Sequence, residues 1–460
     1  MFSWPVIFSF SVGLVALATS PCSGQSLSHD QINAIDTAAT RALADSGVPA
    51  ASIAIVRDGK LVYSKAYGFQ REGQPARTDA RYSIGSVSKQ FTASAILILA
   101  DEGKLSLDDR VSKYLPDLTR ANDVTIRQLL DHTAGYRDYW PQDYAFTDMK
   151  RATTPDEILN RWAKLPLDFE PGTRWQYSNT GYVAAGRIVE IVSGRSLASY
   201  LQTHVFARLG LRPVEIDSGL NDADPQGFTR DALGPIRAAQ PVAANWSFAA
   251  GQFAMTAADL ARWDISVINR SLMSDVAYKA QERETVLSNG VGTNYGLGVT
   301  VAYTNGHRVI AHGGGLVGFL TENRIYPDDH AAIVVADNAD FGNAQISIAD
   351  AIEQQLFANS SGVDRARMIY NMVRSGTLDR SIFTLNGNSY FSPEMTLKYY
   401  SSLAPLGEPK SVIQVQSDIR GGFTSEQFLF DLDSRKLGVS LRAEPGPKGK
   451  VEEFIVTPIN

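Results

Sequence analysis

The sequence predicts an α+β chain: an antiparallel sheet flanked by helices, an all-helical lobe, and a small α+β module at the C-terminal end. Three observations predict it. Residues 51–56 (ASIAIV) and 61–67 are apolar strand-like runs joined by Arg57-Asp58-Gly59-Lys60, whose Asp-Gly pair is a hairpin turn signal. Strand-like runs return at 295–302, 308–311, 316–325 and 331–336. Between the two sets, apolar residues recur at helical spacing, so one sheet built from both ends with a helical insertion is the economical reading.

In chain order, residues 6–18 (VIFSFSVGLVALA) are apolar and uncharged, and small residues TSPCSG follow. The run is shorter than the roughly 20 residues a membrane span needs. It reads as a secretory signal over 1–24, which places the mature chain in a bacterial periplasm or outside the cell, with no membrane span after cleavage. Cys22 suggests lipidation, but Thr19-Ser20-Pro21 is a poor lipidation context. Residues 30–44 carry helical spacing. So do 86–102, a strongly apolar helix closed by Gly103 at a C-cap position. Further helices are expected at 124–130, 155–165 and 181–193.

Asn359-Ser360-Ser361-Gly362 is a linker signal. It divides a main domain, 25–360, from a module over 363–460. The module carries helical spacing at 365–374 and 394–403 and strand-like runs at 411–418, 422–430 and 437–442. Nothing in it names a ligand, and a partner-docking or site-covering role is the expectation for it.

The composition narrows the function. The 460 residues carry a formal charge of −6, with 44% hydrophobic and 20% charged residues. That is a globular chain and a poor nucleic-acid binder, because phosphate neutralisation needs surplus Lys and Arg. One cysteine rules out an intrachain disulfide framework and a Cys-rich zinc site. The six histidines show no metal-ligand spacing, so neither metal nor cofactor is expected.

Three motifs carry chemistry. Ser86-Val87-Ser88-Lys89 is the single S-x-x-K in the chain. Its serine and lysine lie one turn apart at a helix start and share a face. The positive end of the helix and apolar neighbours would lower the lysine pKa, so that a neutral amine could take the serine proton. The Ser86 N–H at that helix start could also hold an oxyanion. Read alone, the pair fits a surface serine and a solvated lysine equally well. Tyr177-Ser178-Asn179 offers a proton relay and a substrate-amide partner, or equally a helix cap at Asn179 or Thr180. His312-Gly313-Gly314-Gly315 follows a strand, and its glycines call for close approach of another backbone or a ligand. Two patterns are discounted: Gly194–Ala198 falls one residue short of G-x-S-x-G, making Ser196 an N-cap, and Tyr303-Thr304-Asn305 runs into an Asn305-Gly306 turn.

In this order the motifs resemble the serine β-lactamase and penicillin-binding-protein superfamily, and most closely its class C β-lactamase and D-stereospecific peptidase branch. Supporting stretches are YSIGSVSKQFTA, LLDHTAG from Leu129, FEPG from Phe169, YSNTGY, TAADLARW from Thr256 and YGLG from Tyr295. The resemblance spans about residues 29–356. It implies that Ser86 is the acylated nucleophile and that Lys89 and Tyr177 share the acid and base work. It further implies that Asn179 holds the substrate amide, that the N–H groups of Ser86 and Gly315 form the oxyanion hole, and that His312 and Gly314 line the substrate site. His132 is expected to be structural. Where the family has Lys-Thr-Gly this chain has His312-Gly313-Gly314, which removes a carboxylate clamp and argues against efficient β-lactam hydrolysis. The expected activity is serine hydrolysis of a small-molecule or peptide substrate: D-amino-acid peptides, muropeptide fragments or esters. A class C-type β-lactamase and a non-catalytic penicillin-binding sensor are the alternatives.

Overall fold

The computed structural model describes residues 26–140, 145–304, 307–357, 362–446 and 449–459. The expected signal segment, Cys22, the expected turn at Asn305-Gly306 and most of the expected 359–362 linker lie outside the described residues.

The main sheet has seven strands: β1 (Ala50–Arg57), β2 (Lys60–Arg71), β3 (Gln74–Pro75), β4 (Thr300–Thr304), β5 (His307–Leu316), β6 (Phe319–Tyr326) and β7 (Ala331–Asp337), in the spatial order β3-β2-β1-β7-β6-β5-β4. Strands from the two ends of the domain meet where β1 pairs antiparallel with β7, Ile53 opposite Val335. The β1–β2 turn is made by Asp58 and Gly59 at φ 51° and 69°, the left-handed pair that matches strand twist.

The central strands are covered on both faces, which explains their unbroken apolar runs. Successive side chains point to opposite faces. Ile53, Ile55, Ile333 and Val335 join a core with the helices α1 (His29–Ser46) and α5 (Ala344–Phe357). Ala54, Val56, Ala332 and Val334 join the larger core, built with α2 (Ser88–Asp101), α3 (Asn179–Ser193) and α4 (Ala257–Ile268). Helix α2 is buried on every side from Ser88 to Leu99, the pattern of a helix at the centre of a domain. Among the described residues no helix is long and apolar enough to cross a membrane.

Three strand expectations shift. The glycines at 313–315 lie inside β5 rather than after it, because β5 runs on to Leu316. The run at 316–325 is broken at Val317-Gly318, with Gly318 at φ 83°, before β6 starts. The strand expected at 295–302 instead spans Thr300–Thr304, which leaves Tyr295 in the connection before it. The helical middle also holds short strands that its spacing does not reveal, such as Tyr82–Ser83 paired with Phe253–Met255.

Residues 362–458 form a second core. Helices α6 (Gly362–Ser375) and α7 (Pro393–Leu403) supply residues packed on an antiparallel sheet of β8 (Ser411–Arg420), β9 (Phe423–Asp431), β10 (Lys436–Ala443) and β11 (Val451–Pro458). Strand β11 lacks a strong apolar run and is not evident from the sequence. It is an edge strand, with Val451 and Phe454 turned inward.

Candidate active site

Ser86 lies in the tight turn Gly85–Val87 that runs directly into α2. Within residues 82–90 it is the one side chain that is not fully buried. One turn on, the Lys89 side chain is 0% exposed, so the solvated-lysine reading is excluded. Its Nζ is 2.9 Å from Ser86 Oγ, 2.8 Å from Asn179 Oδ1 and 2.9 Å from the Ala250 carbonyl oxygen. Burial pushes the amine down to about 7, with Asp138 pulling the other way. A neutral amine has two hydrogens and one lone pair. Asn179 Oδ1 and the Ala250 carbonyl can only accept, so they take the hydrogens and the lone pair is left facing the Ser86 hydroxyl.

Tyr177 completes the group. Its ring centre is 4.8 Å from Lys89 Nζ, and it lines the same cleft as Ser86. Burial raises the phenol well above its ordinary value. Tyr177 therefore stays a neutral proton carrier at a pH where Lys89 is already a base. Neither Asn179 nor Thr180 caps α3: Ser178 does, accepting from the Gly181 N–H, and Asn179 is left for the site.

Asp138, which carries no recognisable motif, fixes the Asn179 amide. It accepts from the Asn179 N–H at 2.9 Å and from Asn179 Nδ2 at 3.2 Å, so the amide oxygen is turned towards Lys89. Because Asp138 also holds the Lys89 pKa up, Asp138→Asn is expected to move the acidic limb of the kcat/KM profile to lower pH, read from a pH series on a p-nitrophenyl ester. An unmoved limb would show that Asp138 acts on Asn179 alone.

Behind Tyr177 runs a chain of neutral groups. The Ser178 N–H donates to His132 Nδ1 at 3.1 Å, which leaves His132 Nε2–H to donate to the Tyr295 hydroxyl at 3.2 Å. Tyr295 in turn donates to His312 Nε2 at 2.9 Å, and His312 Nδ1–H donates to the Gly313 carbonyl at 2.6 Å. Burial, helped by the nearby Lys89, holds His312 down at about 4, and burial holds His132 well below its ordinary value. His132 packs 4.3 Å from the Tyr177 ring centre, a supporting position. His312 is therefore neutral near pH 7, with both ring nitrogens engaged inside the protein. It lines the cleft but presents no cation to a substrate carboxylate.

Of the three glycines, Gly314 is explained by a neighbouring backbone, that of Ile84 and Gly85; it is buried there and does not line the cleft, whereas a Cβ on Gly313 or Gly315 would make only ordinary contacts. A Cβ on Gly314 would lie 2.0 Å from the Ile84 carbonyl oxygen, and one on Gly85 would lie 2.8 Å from the Gly315 nitrogen. This contact brings the Ser86 turn against β5. Gly314→Ala is expected to cost roughly 1–3 kcal/mol of stability, as overpacking against fixed backbone does, read from the denaturant midpoint. An unchanged midpoint would mean that the strand yields freely. Ser86, Asn179, Tyr177, His312 and Gly315 line one cleft of about 910 Å³. Ser196, by contrast, caps the helix Leu197–Leu201 and takes no part in the site.

The sheet, the helical region and a serine–lysine pair facing a tyrosine together define the fold class of β-lactamases and penicillin-binding proteins. The chain belongs to the beta-lactamase family, whose model matches residues 35–356. It is 27% identical over 298 residues to penicillin-binding protein 4* of Bacillus subtilis (strain 168), covering 61% of this chain and 66% of that protein. It is 28% identical over 306 residues to a D-aminopeptidase of Brucella anthropi, covering 65% of this chain and 58% of the relative, so it aligns with under two thirds of either relative's length. Among solved structures, a D-stereospecific amidohydrolase from Streptomyces sp. is similar at TM-score 0.61 and 27% identity, covering 71% of this chain and 98% of that one. An octameric penicillin-binding protein homologue from Pyrococcus abyssi shares the fold at TM-score 0.63 and 20% identity, covering 92% of this chain and 99% of the other.

Proposed function

We propose that this chain is an exported serine hydrolase that cleaves amides or esters of D-amino acids through an acyl-enzyme on Ser86. The observation that carries the reading is the buried Lys89 amine 2.9 Å from Ser86 Oγ, with its other contacts made to acceptors.

The Ser86 proton passes to Lys89 Nζ, and Oγ bonds to the substrate carbonyl carbon. The N–H groups of Ser86 and Gly315 hold the oxyanion. Collapse breaks the bond to the leaving nitrogen or oxygen, which takes the Tyr177 proton, and Lys89 reprotonates the phenol. Water then enters by the reverse route, releases the acid and returns the proton to Ser86.

The surroundings favour a substrate with a free amine. The cleft is lined by Asp138 and Asp340, no Lys or Arg lines it among the described residues, and His312 is neutral. A substrate ammonium is attracted there, and a carboxylate finds no clamp. The names of the D-aminopeptidase and D-stereospecific amidohydrolase relatives support the D-amino-acid class. Export rests on the apolar run at 6–18 and the small residues after it.

The test is a panel on one purified sample: D- and L-alanine p-nitroanilides, N-acetyl-D-alanine p-nitroanilide and a chromogenic cephalosporin. The D-alanine compound is expected to turn over fastest, with N-acetylation costing about 5- to 20-fold in kcat/KM through loss of the ammonium. Fastest turnover of the cephalosporin would favour the β-lactamase reading. A stable adduct with no turnover of any compound would favour the sensor.

A further inference from the structure

A second cleft of about 800 Å³ adjoins the first and shares Tyr177, His312 and Gly313 with it. Part of its wall comes from the main domain, including Trp175, Glu284 and Tyr303. The rest comes from the C-terminal module, beyond the family match: Asp418, Ile419 and Thr424 at the end of the β8–β9 hairpin. The hairpin is well built for a fixed wall. It is paired from Ser411–Asp431 to Arg420–Phe423, and its tip is Gly421-Gly422 at φ 61° and 79°, the left-handed pair a two-residue turn requires. Thr424 is buried, and Ile419 is 53% exposed, an apolar surface at the cleft that a bound group would cover.

The two clefts take different ends of a substrate. Ser86, Asn179 and Gly315 line only the first, so the reacting carbonyl and the acyl side chain sit there. Tyr177, which hands the leaving atom its proton, lines both. The leaving group therefore departs past Tyr177 into the second cleft. That cleft is lined by two carboxylates, Glu284 and Asp418, with no Lys or Arg among the described residues, and by the rings of Trp175, Tyr295 and Tyr303. Glu284 accepts from the Asn294 N–H through one oxygen at 2.8 Å, which fixes its direction. An alkyl stem packs on aromatic faces, and an ammonium is attracted both to those faces and to carboxylates.

Resting on the assignment of Ser86 as nucleophile, we propose that the β8–β9 hairpin completes a leaving-group subsite selective for a basic residue. The stem of that residue lies along Trp175, Tyr303 and Ile419, and its cationic head faces Glu284 and Asp418. The C-terminal module is thereby a part of the substrate site, and the preferred substrate is a peptide with a lysine-like residue after the scissile bond.

The test reads binding without turnover. The full-length Ser86→Ala chain is titrated calorimetrically with D-Ala-Lys-amide and D-Ala-Glu-amide, alone and with Asp418→Asn plus Glu284→Gln. The lysine peptide is expected to bind about 10-fold tighter than the glutamate peptide, and the double substitution to reduce that ratio to about 1–2. Asp418→Glu is expected to keep most of it. Equal binding of the two peptides, or a ratio that survives the double substitution, would overturn the subsite. A chain that prefers the lysine peptide but hydrolyses no substrate would refute the nucleophile instead. Hydrolysis of D-alanine esters without any lysine preference would refute only the subsite.

Discussion

Ser86→Ala is expected to lower kcat for a D-alanine p-nitrophenyl ester by at least about 10⁴-fold while the chain stays folded. On the proposed mechanism its hydroxyl oxygen bonds to carbon, and among the described residues no other hydroxyl side chain is hydrogen-bonded to the Lys89 amine. Ser88 is fully buried, and its Oγ accepts from the Phe253 N–H. Ser196 is committed to a helix cap. The substitution removes the hydroxyl that faces the Lys89 lone pair and leaves the Asn179 and Ala250 contacts in place. Circular dichroism and the thermal midpoint should therefore stay near wild type. Retained activity in a folded Ser86→Ala chain would move the reaction to another residue.

Lys89→Met is expected to cost about 10³- to 10⁴-fold in kcat/KM, as loss of a positioned base does. Methionine nearly matches the lysine stem in volume and keeps the packing against Tyr177 and Tyr182, so the loss reports chemistry more than shape. The pH dependence gives the sign. The active form is the neutral amine, and burial places its pKa at about 7. Wild-type kcat/KM should rise about 10-fold per pH unit below 7 and level off above it, and the variant should lose that rise. A wild-type profile flat from pH 5 to 9 would contradict a lysine base. A bell with a descending limb near 8 would assign the acid work to a group other than Tyr177, because burial holds that phenol well above its ordinary range.

Much of this site is legible in the sequence because its chemistry is local. Ser86 and Lys89 are one turn apart, so their meeting follows from helix geometry alone. The three glycines at 313–315 signal a close approach, though the sequence does not say that Ile84 is what approaches. Tyr177 and Asn179 are brought to Lys89 by the long-range packing of α3, which only the family resemblance anticipates. Asp138 is not legible: it sits in a stretch without regular spacing and matters because its oxygens meet Asn179 from 41 residues away. The engagement of His312 is equally hidden, because its partner Tyr295 is aimed by an irregular connection. The fold divides in the same way. β1 and β7 announce themselves by unbroken apolar runs, whereas the two-residue strands in the helical region and the edge strand β11 carry too short or too mixed a pattern to show.

The most direct test of a serine activated by a buried neutral amine is to label the full chain with a fluorophosphonate across pH 5 to 9 and map the adduct by peptide mass. One adduct per chain on Ser86, formed at a rate that climbs about 10-fold per unit up to pH 7 and then levels, is the predicted result. An adduct on any other residue, or a labelling rate indifferent to pH, would contradict it.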